Sequence, residues 1–215
     1  MALTVGNKTN DNWATPAGGT SRSISHTHNA GARGYLFVIT CHSNQVGQDI
    51  TGITYNGVAL TQIDTRLTSV STMRWRTWRL ANPSSGTNNL VISCEPLYSP
   101  LSTEIISFTD CGGEGNIGFT DTQAGPTTVD ISITNNSYII GAGVAGTTGT
   151  NVTIDGSSRT IDWNNNVNNW HFGGVSAQLA FGTRTTSVNA SASVAVLAVE
   201  VKESLGAATN TAIAI

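Results

Sequence analysis

The chain has 215 residues and a mass of 22.4 kDa, which suits one large all-β or α/β domain or two small ones. Only 11% of the residues are charged, against roughly 25% in a typical globular protein, and 31 threonines, 21 serines and 20 asparagines supply neutral polar side chains instead. Such side chains compete with the helical backbone for hydrogen bonds, so the composition excludes a mostly helical protein.

The net charge argues against a nucleic-acid partner, and the lengths of the apolar runs argue against a membrane span. The formal net charge is −3, and the only lysines are Lys8 and Lys202, so the basic surface that phosphate binding requires is missing. No apolar run approaches the roughly 18 residues that span a bilayer. The first residues lack the basic and apolar regions of a secretory signal, which predicts synthesis in the cytoplasm.

Turn signals recur at the spacing typical of a β-sandwich or barrel, about eight to twelve residues. The run 35–41 is apolar and β-branched throughout and predicts a central strand, and Asn56-Gly57 predicts a hairpin between 53–55 and 58–63. Further strands are predicted at 90–94, 104–108, 129–133, 138–144, 175–181 and 191–201.

Segment 194–201 has apolar residues on both faces, which predicts a strand covered on both sides. Composition does not shift along the chain, and neither a linker nor a repeat of fixed period is visible. We therefore predict one antiparallel, jelly-roll-like β-sandwich domain of about a dozen strands over residues 1–203. The tail 204–215 is uncharged and apolar to its end, so it either docks on its own domain or a neighbour, or frays.

The three cysteines, Cys41, Cys94 and Cys111, each lie in or beside an apolar, strand-like run. An odd number cannot pair completely, and this placement predicts buried free thiols in a protein made in a reducing compartment.

The segment 141–146 matches the dinucleotide-binding pattern G-x-G-x-x-G. That chemistry needs a helix to begin at the third glycine, whereas the following residues favour turns and a strand. We predict no cofactor.

His26 and His28 are two residues apart, so on a strand they would lie on the same face. Metal-dependent jelly-roll enzymes use such a pair, but a catalytic metal needs a third ligand, which this stretch does not offer. Histidines that face solvent or an interface are the preferred interpretation, and no metal is predicted.

Motifs of nucleophilic, zinc-dependent and nucleotide-hydrolysing enzymes are absent from the sequence. Glu95, Glu104 and Glu114 have no spacing that would pair them as glycosidase carboxylates. We therefore predict that the protein is not an enzyme.

The segment 73–80 reads as a strand, but strict alternation places Arg74 and Arg76 on the face of Trp78 and Leu80. Either a bulge intervenes, or the arginines lie at a sheet end or a subunit interface. Because arginine and tryptophan are enriched at interface hot spots, this strand and the apolar tail are candidate assembly contacts. The candidate interface residues are Arg74, Trp75, Arg76, Arg79, Ile213 and Ile215.

The loop-like segment 162–171 sets two tryptophans among amide side chains. Sugar sites use this combination, because a ring stacks on the sugar while amides bond its hydroxyls, but a loop pinned by buried rings or a subunit contact has the same composition. The candidate glycan-binding residues are Trp163, Asn165, Trp170 and His171.

Segments 53–63, 78–86, 89–93 and 104–108 together resemble a recurrent β-sandwich module of tailed-bacteriophage virion proteins and large bacterial surface proteins. The shared features are the "TYNGVALT" hairpin, "W-x-L-x-N-P-x-x-G", an apolar strand and a closing "SF" strand, across roughly residues 20–112. The stretch 107–111 departs from the pattern where a glycine is usual. These are turn and core features, so the resemblance implies fold more strongly than function.

Taken with the low charge, the absence of any reactive constellation and the apolar C-terminus, the resemblance predicts a non-enzymatic structural protein of a tailed-phage particle: a capsid decoration, spike or fibre subunit located in the virion. Its partners would be further copies of itself and other virion proteins, such as a major capsid protein. The alternative is a carbohydrate-binding module or host-glycan recognition domain, and a third hypothesis is a metal-dependent jelly-roll enzyme that uses His26 and His28.

Overall fold

A computed structural model of the chain describes residues 2–14, 17–29, 31, 33–43, 45–68, 73–98, 100–122, 127–133, 136–145, 151–154, 157–158, 163–165, 170–189 and 194–204. Within these residues the chain forms antiparallel strands joined by turns, and it forms no helix. None of the described segments is therefore a helix with the length and apolar character of a membrane span. The prediction of an all-antiparallel β-protein is confirmed.

Eighteen strand segments lie in the described residues, more than the predicted dozen, because several edge strands have only two or three residues. The strands are β1 (Thr4–Trp13), β2 (Gly19–His28), β3 (Tyr35–Ser43), β4 (Ile50–Tyr55), β5 (Val58–Ala59), β6 (Thr61–Leu67), β7 (Met73–Ala81), β8 (Gly86–Leu97), β9 (Leu101–Thr109), β10 (Cys111–Thr122), β11 (Thr127–Ile133), β12 (Tyr138–Ala145), β13 (Asn151–Ile154), β14 (Ser157–Ser158), β15 (Trp163–Asn165), β16 (Trp170–Val175), β17 (Gly182–Asn189) and β18 (Val194–Glu203).

Two strand predictions need correction. The strand predicted at 58–63 breaks at Leu60, because β5 belongs to one sheet and β6 to another, and the chain crosses between them there. The strand predicted at 175–181 is wrong: β16 ends at Val175, and the next strand begins only at Gly182. The segment 176–181 instead makes an isolated bridge to Ser137 through Leu179.

The strands form four sheets. Sheet 1 has the order β1-β9-β3-β7-β6 and sheet 2 the order β2-β8-β4-β5, so both come from the first half of the chain. Sheet 3 has the order β10-β18-β12-β16-β15 and sheet 4 the order β11-β17-β13-β14, both from the second half. Apart from β6 and β15, each half by itself has the strand order of an eight-stranded jelly roll, whereas the sequence predicted one jelly-roll-like sandwich over residues 1–203.

The two halves are repeats of one nine-stranded module, which the sequence did not reveal. Adding nine to each strand number of sheets 1 and 2 reproduces the orders of sheets 3 and 4 without exception. The register agrees as well: Tyr35 begins β3 opposite Phe108, and Tyr138 begins β12 opposite Val201.

The first strand of each module carries the same bulge. Pairing of β1 with β9 shifts at Gly6-Asn7, and pairing of β10 with β18 shifts at Gly115-Asn116. The asparagine then bonds the same position of the second strand, since Asn7 Nδ2 donates to Thr27 O at 2.8 Å and Asn116 Nδ2 to Ser132 O at 2.5 Å.

Three apolar clusters separate four stacked layers, in the order sheet 2, sheet 1, sheet 3, sheet 4. One cluster lies between sheets 1 and 2 and another between sheets 3 and 4. The third, here called the central cluster, joins the two modules through sheets 1 and 3, and its members include Phe37, Ile39, Trp75, Phe108, Ile140, Leu197 and Val199.

This layering explains the continuous apolar runs at 35–41 and 194–201. In β3, Phe37 faces the central cluster while Val38 faces sheet 2. In β18, Leu197 faces the central cluster while Val196 faces sheet 4. Sheets 1 and 3 are therefore buried on both faces, and the prediction that segment 194–201 is covered on both sides is confirmed.

Candidate functional site

The arginine–tryptophan strand β7 pairs with β3 without a register shift, so the bulge considered from the sequence is absent there. Strict alternation sends Trp75 into the central cluster, where it is 1% exposed, and Trp78 into the cluster shared with sheet 2. Arg74 and Arg76 lie on the face of Trp78, as predicted, and they reach the end of the sheet.

Asp49 receives both arginines at that end. The Arg76 guanidinium donates to the Asp49 carboxylate at 2.6 Å and to the carbonyl of Ile50 at 2.6 Å, and Arg74 donates to the same carboxylate at 3.1 Å. Arg76 is 9% exposed, so its charge is removed from water and balanced by Asp49. The β3–β4 loop is thereby tied to β7.

His42 is fully buried at the end of β3, beside the carboxylate of Asp49. Its Nδ1 donates to Ser43 O at 2.9 Å, and its Nε2 lies 3.6 Å from Asp49 Oδ1. Burial lowers the pKa of His42, although the nearby Asp49 carboxylate acts in the opposite direction. The imidazole is therefore neutral near pH 7.

A pocket of about 270 Å³ opens beside Asp49. Its wall is the β3–β4 loop from Gln45 to Asp49, completed by Arg74 from β7 and Glu95 from β8. The Gln48 side chain is held at both ends, because its Nε2 donates to Gln45 Oε1 and its Oε1 accepts from the backbone N–H of Tyr98 at 2.8 Å. We refer to residues 45–49, Arg74, Glu95 and Tyr98 together as the loop pocket.

The remaining candidate interface residues lie elsewhere. Arg79 bonds Glu114 of β10 at 2.5 Å, so it joins the two modules within one chain, as Trp75 does through the central cluster. Ile213 and Ile215, with the rest of the tail beyond Ser204, lie outside the described residues.

The preferred interpretation of His26 and His28 as solvent-facing or interface residues is wrong. Both point into the first module, and they are 1% and 2% exposed. The His26 ring bonds Thr9 Oγ1 at 2.8 Å and Ser107 Oγ at 2.6 Å, and burial lowers its pKa to about 4. Within the described residues no group of three or more potential metal ligands occurs.

The candidate glycan residues lie on the edge hairpin of sheet 3 rather than in a loop. Trp163 and Asn165 belong to β15, opposite Gly173 and His171 of β16, and Trp170 pairs with Ala145 of β12. Residues 166–169 lie outside the described residues. A glycan-binding role for this hairpin stays a prediction.

The three cysteines are free and buried, as predicted. Burial raises the pKa of all three thiols, that of Cys111 to about 12. Gly141 and Gly143 of the G-x-G-x-x-G match lie inside β12, whereas Gly146 lies outside the described residues. The next described segment is the strand β13, so the helix required for a nucleotide is not among the described residues.

Comparisons with known proteins add only distant structural likeness. No model of a protein family matches the sequence, and no curated protein matches it significantly. Among solved structures, the major capsid protein P2 from Bacteriophage PM2 is similar, with 13% sequence identity over 91% of this chain and 97% of that chain. The TM-score is 0.29, which does not establish a shared topology.

Proposed function

We propose that this protein is a non-enzymatic structural subunit of a phage particle, a decoration, spike or fibre protein that acts through protein–protein contacts in the virion. Its partners would be further copies of the chain and other virion proteins, such as a major capsid protein. The module resemblance over residues 20–112 supports this proposal.

The observation that carries the proposal is how the chain uses its reactive side chains. The described histidines of the first module, His26, His28 and His42, are buried, and so are the three cysteines. Their hydrogen bonds and packing join strands and layers instead of meeting solvent. A rigid stack that uses such groups for its framework suits a structural role better than catalysis.

The tail provides the test. We expect removal of residues 204–215 to abolish self-association while the melting temperature stays within a few degrees of the full chain. Size-exclusion chromatography with light scattering at micromolar protein measures the mass of both forms. Replacing Ile213 and Ile215 by serine in the full-length chain is the matched control for length, and it should act like the truncation.

A full chain that forms a closed oligomer and a truncated chain that stays monomeric would support the proposal. An oligomer of unchanged mass after truncation would show that the tail does not drive assembly. A full chain that is monomeric both alone and with purified capsids would contradict the structural role itself.

A further inference from the structure

The loop pocket balances its charges. Asp49 and Glu95 line it with two carboxylates and Arg74 with one guanidinium group, and the nearly buried Arg76 bonds Asp49 from behind the lining, so the charges of these four side chains cancel. The uncharged polar groups are the two glutamine side chains of the loop. The pocket therefore offers donors and acceptors side by side with little net charge, which suits an uncharged ligand rich in hydroxyl groups better than an ion.

An exposed aromatic residue, Tyr98, adjoins the pocket wall through its backbone. The Tyr98 backbone is bonded to Gln48, and the side chain is 71% exposed. The ring lies against Gly18, where an added Cβ would approach the ring atoms to between 3.0 and 3.2 Å. One part of the ring is thus supported by backbone while the rest is open to solvent, as a sugar-stacking platform requires.

The module fold does not require the charged group. The paired registers make Trp170 the counterpart of Arg74 and Phe172 the counterpart of Arg76 in the second module. Features that both modules keep, such as the Gly-Asn bulge, serve the shared fold. The second module has no arginine at these two positions, so the cluster of arginines with Asp49 is particular to the first module.

We propose that the loop pocket binds a neutral saccharide, with one pyranose ring stacked on Tyr98. Its hydroxyls would bond to Glu95, Arg74 and Gln45 around the pocket. Volume supports one ring, because about 270 Å³ is just below the roughly 300–1,000 Å³ of sites for drug-sized ligands. This site lies in the first module, apart from the hairpin of Trp163 and Trp170, and it does not depend on the assembly role.

The test uses the full-length protein and five monosaccharides: D-glucose, D-galactose, D-mannose, N-acetyl-D-glucosamine and L-rhamnose. Each is titrated to tens of millimolar while ¹H–¹⁵N spectra are recorded. We expect at least one sugar to bind saturably, with a dissociation constant on the order of 1 mM. The affected amides should belong to the β3–β4 loop and to residues around Tyr98.

Two variants remove the pocket contacts. Tyr98→Ala should weaken binding at least tenfold and Glu95→Gln at least fivefold, whereas Tyr98→Phe, which keeps the ring, should bind like the native chain. Phe181→Ala is the matched control, because Phe181 is an aromatic residue of the other module with similar exposure, 76%. Melting temperatures of all four variants should stay near the native value, since the altered side chains are not in the core.

Binding that is lost with Tyr98→Ala and kept with Tyr98→Phe and Phe181→Ala would support the site. The proposal is overturned if none of the five sugars binds, or if binding survives both pocket variants. It is also overturned if Trp170→Ala abolishes binding while Tyr98→Ala does not, which would place the glycan site on the β15–β16 hairpin.

Discussion

His26 is a buried base whose protonation opposes folding. Its imidazole is held between Thr9 and Ser107, and its pKa is about 4 in the folded protein, against about 6.5 for an exposed histidine. Between these values the unfolded chain binds a proton that the folded chain does not. The neutral His26 therefore contributes stability that is fully present above pH 6.5 and is lost as the pH falls through 4.

We expect His26→Gln to flatten this dependence. Urea unfolding at intervals from pH 7 to pH 4 should show a smaller loss of unfolding free energy in the variant than in the native chain. Part of the slope should remain, because burial also lowers the pKa of His28 and His42. Ser107→Ala is the control: it removes a hydrogen bond but keeps the imidazole, so its slope should stay native. Equal slopes in all three proteins would contradict this role for His26.

The ion pairs at the loop pocket could not be predicted from the sequence. Strand alternation places Arg74 and Arg76 on an apolar face. A charged side chain there needs either a position at the end of the sheet or an oppositely charged partner. Their partner, Asp49, lies 25 and 27 residues earlier, directly before β4, and nothing in the local sequence marks it. Such a long-range ion pair becomes visible only once the register of β3 and β7 is known.

The cost of adding a side chain at the glycine of the Gly-Asn bulge differs between the two modules. In β1 an added Cβ on Gly6 would lie 3.1 Å from the Cβ of Ser107, whereas in β10 a Cβ on Gly115 would overlap the carboxylate of Glu200. Glu200 is fully buried and accepts hydrogen bonds from the backbone N–H of Asn116 and from Ser137 Oγ. It cannot swing away without losing both bonds.

We expect Gly115→Ala to cost about 2–4 kcal/mol of unfolding free energy, and Gly6→Ala about 1 kcal/mol. Ser107 and Glu200 occupy the same position of the module, so Glu200→Ser should reduce the cost of Gly115→Ala in a double-mutant cycle. Chemical denaturation of the three single variants and the double variant measures the coupling. Additive costs would mean that Glu200 is not the obstacle.

Individual strands could be predicted where the local pattern decides them. The apolar run at β3 and the Asn56-Gly57 hairpin needed only side-chain type and turn chemistry, and both are found. The repeat escaped notice because shared residues are few and unevenly spaced. Gly6-Asn7, Asn56-Gly57 and Gly86-Thr87 have sequence counterparts 109, 99 and 96 residues later, so no fixed period exists.

At the scale of the whole molecule, the central cluster couples the two modules. It contains core residues of both, including Phe37 and Phe108 from sheet 1 and Leu197 and Val199 from sheet 3. Separating the modules would expose these side chains, at a cost of about 25 cal/mol per Å² of apolar surface. Neither module should therefore unfold alone.

We expect a single calorimetric transition in which the van't Hoff and calorimetric enthalpies agree. Ile92→Ala, in the outer cluster of the first module, and Ile131→Ala, in that of the second, should each lower the midpoint of this one transition, because each deletes buried methyl groups at about 2–5 kcal/mol. Two resolved transitions, each moved by only one of the variants, would show that the modules are independent.

Asp110 alone connects β9 to β10, so the second module begins immediately where the first ends. A ribosome that has just added Asp110 has made every strand of the first module but nothing to cover the central face of sheet 1. The remaining 105 residues take about 5 to 20 s to add. In that interval the central face of sheet 1 is open to the matching face of another chain. Slow or crowded translation therefore favours pairing between chains at the surface that should close within one chain.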